Sequence, residues 1–128
     1  MVEKFYLNKA YFLFYKMLNK KNRLRRNKDF DKVFESGKSS YSNVLGIKIV
    51  PNQLNINRFG ILVSVKVSKS AVQRNKIKRQ IRSILLELDE KIDQGYDIAI
   101  ITMPLIMKVN YNEIKEYLSN NLNKVLND

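Results

Sequence analysis

The sequence contains no cysteine and no histidine among its 128 residues. Without cysteine there is no disulfide framework, no thiol nucleophile and no thiolate metal site. Without histidine the chain lacks the commonest general base and metal ligand, so neither a Ser-His-Asp triad nor a histidine zinc site can be built. Any chemistry of its own would have to use carboxylates, lysine, tyrosine or serine, or would belong to a partner.

Long apolar runs are also missing. In the aromatic-rich residues 5–18, the longest run spans residues 10–15, bracketed by Lys9 and Lys16, whereas a membrane-spanning helix needs about 20 apolar residues. No secretory signal is clear either, so we expect a cytoplasmic protein without a membrane partner. Three interpretations stay open for this stretch: an amphipathic helix on a membrane or partner, an extension upstream of a true start at Met17, or a helix packed on the domain.

Positive charge dominates the composition. Lysine and arginine number 24 against 12 acidic residues, which gives a net charge of +12 and a pI of about 9.9 in a chain of 15.1 kDa. The hydrophobic content of 45% is enough for a core, and the length is that of one domain. We assign residues 1–21 to an N-terminal extension and residues 22–128 to the domain. The excess charge predicts a polyanionic partner, either nucleic acid or an acidic membrane surface.

The hydrophobic pattern predicts one α+β domain, an α/β sandwich-like arrangement with the order helix, hairpin, long helix, strand, helix. These elements are expected over residues 27–36, 44–50 with 58–67, 70–93, 96–103 and 110–126. Asn27 is expected to cap the first helix, Ser70 the long one, and Asn110 with Glu113 the last. The nearly continuous apolar strand at residues 96–103 suits a position buried on both faces.

The two hairpin strands alternate with a period of two. Their core face is predicted to carry Leu45, Ile47, Ile49, Phe59, Ile61, Val63, Val65 and Val67. The opposite face carries Gly46, Lys48, Gly60, Leu62, Ser64 and Lys66. Because this second face combines small residues with two lysines, it is either solvated or a binding surface.

The long helix carries its cations on one face and at one end. On a helical wheel, the half opposite the apolar stripe holds Asn75, Lys76, Lys78, Arg79 and Arg82. Arg74 lies nearer the stripe, but in the first turn, where it can reach around the helix end. Basic residues in the first turns and acidic residues in the last turns oppose the helix dipole. Each exposed charge placed in this way costs about 0.3–1 kcal/mol of helix stability. A bound phosphate would explain this arrangement; the alternative is a solvated basic face.

A second basic block precedes the first helix. It consists of Lys16, Lys20, Lys21, Arg23, Arg25, Arg26 and Lys28, and no acidic residue lies between them. Together with the helix face it favours a two-part site for a polyanion. Phe30 and Phe34 share one face of the first helix, where core packing and stacking on unpaired bases both remain open.

Two motifs at a fixed spacing carry a resemblance to a known family. Residues 71–82 read A-V-Q-R-N-K-I-K-R-Q-I-R, which resembles the signature A-V-x-R-N-x-x-K-R-x-x-R of the protein component of bacterial ribonuclease P. Residues 23–37 read R-L-R-R-N-K-D-F-D-K-V-F-E-S-G, which is similar to that family's opening R-L-x-x-x-x-D-F-x-x-V-F-x-x-G. Residues 60–64 resemble the strand before its helix. The resemblance covers residues 22–126.

The resemblance implies a protein that does not cut RNA itself but joins a catalytic RNA, which removes the 5′ leader from precursor tRNA. Mg²⁺ would be held through the RNA and none by the protein alone, with no catalytic residue and no obligate protein partner. The implied contacts to the catalytic RNA are Arg74, Asn75, Lys76, Lys78, Arg79, Arg82, Lys66 and Lys69. The implied cleft for the single-stranded leader holds Phe30, Phe34, Lys48, Arg23 and Arg25. A left-handed crossover through the long helix is implied as well, against the usual handedness.

The sequence departs from the family pattern at three places. Lys48 stands where an aromatic residue is frequent, which favours a phosphate contact over stacking at that position. Val65 replaces the first of a usual pair of lysines and leaves Lys66. Thr102 and Met103 replace a basic pair that often ends the last strand.

Two other functions are considered beside the resemblance. The chain could be a general RNA- or DNA-binding basic protein without a role in cleavage. It could also be an enzyme in its own right, in which case the carboxylates for a two-metal site would be Glu87, Glu90, Asp93 and Asp97. The first three follow one exposed strip of the long helix, so a solvated face is the preferred interpretation.

Overall fold

A computed structural model describes residues 22–127. The elements in chain order are α1 (Asn27–Ser36), β1 (Lys38–Tyr41), β2 (Leu45–Pro51), β3 (Arg58–Leu62), α2 (Ala71–Asp89), β4 (Tyr96–Thr102), a 3₁₀ helix (Pro104–Lys108) and α3 (Tyr111–Asn127). The predicted α+β class is confirmed, and β1 is an element that the sequence analysis missed. The prediction for residues 1–21, including a start at Met17, lies outside the described residues.

The four strands form one sheet in the order β1-β2-β4-β3. β2 runs antiparallel to β4, and β3 runs parallel to β4. The predicted hairpin between β2 and β3 is therefore wrong, because β4 lies between them. As expected, β4 is buried on both faces, with Ile98, Ala99 and Ile100 fully enclosed. The segment β3-α2-β4 joins parallel neighbours, and the left-handedness of this connection stays a prediction.

Helices cover both faces of the sheet. On one face α2 and α3 enclose the main core, to which the strands contribute Leu45, Ile47 and Ile49 as predicted. On the other face α1 packs a smaller cluster formed by Leu24, Val33, Val50 and Ala99, with Phe30 beside it. The face that was predicted to be open is thus partly covered by α1.

β3 is shorter than the predicted strand over residues 58–67. It ends at Leu62, and the chain then turns, with the Val67 N–H donating to the Ser64 carbonyl at 3.0 Å. The turn interrupts the alternation: Val67 is buried as predicted, but Val65 is 64% exposed rather than part of the core.

The helix ends follow the predicted caps in two of three cases. Ser70 caps α2 by accepting from the Gln73 N–H at 3.3 Å. Asn110 and Glu113 form a reciprocal capping box at α3, with bonds of 2.9 and 3.2 Å. The Asn27 cap is wrong, because Arg26 occupies the N-cap position of α1 and no side chain bonds there.

α2 ends at Asp89 rather than at residue 93. The Gln94 amide donates to both the carbonyl and the carboxylate of Asp89, each at 3.1 Å. This side chain closes the helix end early. None of the helices within residues 22–127 has the length and apolar character needed to cross a membrane.

Candidate nucleic-acid interface

The first turns of α2 present cations to solvent. Asn75, Lys76 and Arg79 are exposed, while Lys78 and Arg82 are half-buried. The apolar stripe on the opposite side of α2 is buried in the core through Ile77, Ile81, Ile84, Leu85 and Leu88. Burial of that stripe fixes the rotation of the helix, so the predicted polar half faces outward.

These cations have no acidic partner in the described part of the chain. The ion pairs formed there join Arg58 to Asp29 and Asp97, and Lys115 to Glu87. The first turn of α2 contains no acidic residue either. No acidic side chain among residues 22–127 therefore forms an ion pair with the positively charged α2 face.

A shallow depression runs along this face, lined by Val72, Asn75, Lys78, Arg79 and Arg82. Val72 is 75% exposed although it is apolar. The guanidinium and ammonium groups thus surround a surface against which a ribose or a base edge can pack.

Arg74 differs from the other α2 cations. Its Nη1 donates to the Ser68 carbonyl at 2.9 Å, and the side chain is half-buried. It reaches back around the helix end, as the sequence analysis expected. Lys66 and Lys69 lie exposed in the loop before α2, so Lys66 extends the α2 surface and does not lie on the sheet as predicted.

Two phenylalanines of α1 stack on one another above the sheet. The ring centroids of Phe30 and Phe34 are 6.3 Å apart, with an angle of 20° between the ring planes. Lys48 on β2 donates from Nζ to the Phe34 carbonyl at 3.2 Å and lies 5.7 Å from the centroid of the Phe34 ring. The structure therefore places Phe30, Phe34 and Lys48, three of the five residues predicted to form a cleft, side by side; the other two, Arg23 and Arg25, line a cavity with Phe30.

The two rings differ in their surroundings. Phe30 is half-buried and packs over Gly60, where a Cβ atom would overlap its ring. Phe34 remains 38% exposed. Phe30 thus has a packing role, whereas Phe34 offers a partly exposed aromatic ring with the ammonium group of Lys48 over it.

Arg23 and Arg25 belong to the segment before α1, residues 22–26, which we call the N-terminal arm and which lies along the edge of β3. The Leu24 N–H donates to the Phe59 carbonyl at 2.9 Å, and Arg23 forms an isolated parallel bridge with Phe59. Because β3 is an edge strand, the arm covers its free side. The two arginines, together with Arg82 and Phe30, line a cavity of about 210 Å³. They therefore meet the basic end of α2 as well as α1.

Arg58 anchors α1 to the sheet, a role that the sequence analysis missed. Its Nε and Nη2 donate to the two carboxylate oxygens of Asp97 at 2.7 and 2.6 Å, and its Nη1 lies 3.5 Å from Asp29 on α1. The hydrogen bond to Asp97 raises the pKa of Arg58, and burial opposes that effect. Asn52 also donates to Asp97, at 2.9 Å. No local pattern marks this contact, since Arg58 and Asp97 lie on different strands.

The acidic residues do not assemble into one site. Asp97 is bound by Arg58, and Glu87 pairs with Lys115 at 2.6 Å. The hydrogen bond from Lys115 to Glu87 raises the pKa of Lys115. Within residues 22–127 no group of three or more acidic, histidine or cysteine side chains is arranged to hold a metal ion.

Comparisons with known proteins agree on one family. The family model described as Ribonuclease P matches residues 18–126. The chain is 42% identical over 106 residues to a ribonuclease P protein component from Clostridium botulinum (strain Langeland), covering 82% of this chain and 95% of that protein. It is 40% identical over 109 residues to one from a Pseudanabaena species, covering 84% and 94%. The chain belongs to the ribonuclease P protein family.

Solved structures of ribonuclease P proteins have the same fold. A mutant of the Staphylococcus aureus protein superposes with a TM-score of 0.77 at 29% identity, covering 85% of this chain and 92% of that one. The Thermotoga maritima protein gives a TM-score of 0.70 at 32% identity, covering 77% and 94%. As a ribonuclease P protein, the chain is a subunit of the ribonucleoprotein endoribonuclease that acts in 5′ processing of tRNA.

Proposed function

We propose that this ribonuclease P protein binds the catalytic RNA through α2 and the loop before it, and the 5′ leader of precursor tRNA through the surface between α1 and the sheet. The observation that carries the first part is the row of exposed cations on α2 without acidic partners among the described residues. The residues of this RNA surface are Lys66, Lys69, Arg74, Asn75, Lys76, Lys78, Arg79 and Arg82.

Electrostatics favours phosphate at this end of the helix. The N-terminus of a helix carries about half a positive charge, to which the cations of the first turns add. Arg79 and Arg82 offer planar forks that match phosphate oxygens in pairs. Self-repulsion among these groups is relieved when phosphates of an RNA backbone replace the surrounding counterions.

The leader surface is proposed from the geometry around Phe34 and Lys48. An unpaired base can stack on the exposed face of Phe34, while the ammonium of Lys48 neutralises an adjacent phosphate. Phe30 supports Phe34 from below. Arg25 is exposed on the arm, and Arg23 lies against β3; both line a cavity with Phe30.

Cleavage is assigned to the RNA and its Mg²⁺. Among the described residues no set of carboxylates is arranged to hold a metal ion, and in this proposal the protein side chains take no part in breaking the phosphodiester bond. Mg²⁺ held by the RNA would supply the activation of the attacking water and the stabilisation of charge on the leaving oxygen. The protein then acts by holding RNA phosphates and the leader, in the bacterial cytoplasm and without an obligate protein partner.

Substitution of Arg79 by alanine tests this function. The affinity for the catalytic RNA should fall about tenfold, and the slope of log affinity against log salt should decrease by about one unit. Lys124→Ala is the matched control, because Lys124 is an exposed cation at the far end of α3. The wild-type protein should also restore leader removal by the catalytic RNA at low Mg²⁺. Unchanged cleavage on addition of the protein would refute the proposal.

The remaining candidate, a general nucleic-acid binder, is distinguished by competition. A ribonuclease P protein should release duplex DNA when catalytic RNA and precursor tRNA are added in excess. A protein that keeps duplex DNA under those conditions would be a general binder.

A further inference from the structure

Three arginines, Arg23, Arg25 and Arg82, line a small cavity between the N-terminal arm and α2. Arg23 from the arm and Arg82 from α2 line a space of about 210 Å³ that is bounded by Phe30, Phe59 and Gly60. The remaining lining residues, Asn22, Leu24, Arg25 and Ile61, include no acid. Like charges are therefore gathered in a partly enclosed space without a carboxylate in its lining.

This arrangement is unfavourable for the protein alone. The Nε atom of Arg23 is buried and has no hydrogen-bond partner, although an unsatisfied buried donor is costly, above all on a charged group. Burial lowers the pKa of Arg82, and the nearby charge of Arg23 lowers it further. No ion pair within residues 22–127 offsets either charge. The pairing of the arm with β3 thus places Arg23 near Arg82, and no ion pair among the described residues compensates either charge.

An oxyanion bound between the two arginines would compensate both positive charges. A phosphate accepts paired hydrogen bonds from the terminal N–H groups of planar guanidinium forks. At about 210 Å³ the cavity lies below the range of about 300–1,000 Å³ that is typical of pockets for drug-sized ligands, and it has room for a phosphate group.

We propose that Arg23 and Arg82 jointly bind one phosphodiester group of the catalytic RNA. Arg82 also lines the depression on α2 with Asn75, Lys78 and Arg79, so an RNA strand lying on α2 reaches the cavity without leaving the protein surface. This inference rests on the proposed function of α2. It moves Arg23 from the leader surface to the surface for the catalytic RNA.

Such a phosphate would connect two elements that are distant in the sequence. The arm is held on the edge of β3 by the Leu24 N–H and by the Asn22 side chain, which donates to the Asn57 carbonyl at 3.0 Å. A phosphate between Arg23 and Arg82 adds a third attachment, from the arm to α2. Binding of the catalytic RNA therefore stabilises the position of the arm beside α1.

The first experiment counts phosphates through the salt dependence of binding. Arg23→Met, Arg82→Met and the double variant are titrated with the catalytic RNA alone at several salt concentrations, with Lys124→Met as the control. Each single variant should bind about tenfold more weakly. The double variant should bind the catalytic RNA only slightly more weakly than either single variant. Its salt slope should be about one unit smaller than that of the wild type. If instead the affinity of the double variant falls by the product of the two single-variant factors, and its salt slope decreases by about two units, the two arginines bind separate phosphates. That result would overturn the proposal.

The second experiment measures the thermal stability of the free protein in a buffer without phosphate or sulfate. Because each single substitution removes repulsion, Arg23→Met and Arg82→Met should unfold at the same temperature as the wild type or higher. A variant with a lower midpoint and unchanged RNA affinity would show that the pair has a structural role only, against the proposal.

A third measurement identifies the source of the phosphate. The assembled holoenzyme is titrated with precursor tRNA that has or lacks its leader. If Arg23→Met weakens only the binding of leader-bearing precursor and leaves binding of the catalytic RNA intact, the phosphate belongs to the leader and the proposal is wrong. Failure of the wild-type protein to bind the catalytic RNA would instead refute the proposed function, so the two failures are distinguishable.

Discussion

Replacing Arg58 by methionine removes the guanidinium that holds Asp97 and leaves the aliphatic part of the side chain in place. The Asp97 side chain is only 4% exposed and that of Arg58 is 22% exposed. Loss of one partner of a buried ion pair costs about 3–5 kcal/mol, because the remaining charge is left without compensation. Since Arg58 is not fully buried, water can reach part of the site, and we expect the free energy of unfolding to fall by about 2–4 kcal/mol.

The structure also predicts a functional consequence. Arg58 contacts Asp29 in the first turn of α1, and α1 carries Phe34. Loosening this attachment should reduce the preference of the holoenzyme for leader-bearing precursor tRNA, while the affinity for the catalytic RNA changes little. Urea unfolding measures the first effect. Titration of the holoenzyme with precursors that have or lack the leader, at a temperature where the variant is folded, measures the second.

A double variant provides the control. Asp97→Asn in the Arg58→Met background removes the uncompensated charge but keeps an oxygen that can accept from Asn52, which bonds Asp97 in the wild type. We expect it to recover at least half of the lost stability. A loss below about 1 kcal/mol in the single variant, the range of an exposed pair, would refute the reasoning, as would a double variant no more stable than the single one.

Three further outcomes are expected from other parts of the molecule. Gly60→Ala should destabilise the protein and weaken leader binding, because the new Cβ would overlap the Phe30 ring; normal leader binding in a folded Gly60→Ala protein would contradict this. Asn110→Ala removes one half of the α3 capping box and should cost about 1 kcal/mol in urea unfolding, with Asn112→Ala, an exposed neighbour, as the control. Lys115→Ala should change the melting temperature very little, since its contact with Glu87 lies on the surface; a clear drop would mean that the pair matters more than exposed pairs usually do.

The local features of the helices were predictable because they depend on neighbouring residues. The range predicted for α1 agrees with the structure, and the α3 capping box follows from an Asn and a Glu three positions apart. The outward direction of the α2 cations follows from the apolar stripe, because burying that stripe leaves the helix one orientation. The motif spacing in residues 23–37 and 71–82 indicated the family that the comparisons confirm.

The order of the strands was not predictable in the same way. Alternation identified the buried face of β2 and β3, but a period of two says nothing about which strand is the neighbour. Two adjacent extended segments favour a hairpin by proximity, whereas the structure inserts β4, the most apolar strand, between them. The central position removes Ile98, Ala99 and Ile100 from water on both sides, which is favourable for apolar side chains.

The sequence by itself therefore determined the three helices, three of the four strands, the apolar faces that form most of the main core, the cationic face of α2 and the family. Only the tertiary structure decided that Arg58 fixes α1 through Asp97, that Phe30 packs on Gly60, and that Arg23 meets Arg82. Periodicity and capping act over a few residues and can be read along the chain. Contacts between side chains on different elements depend on strand order and on the path of the arm, which are set when the whole domain buries its apolar surface.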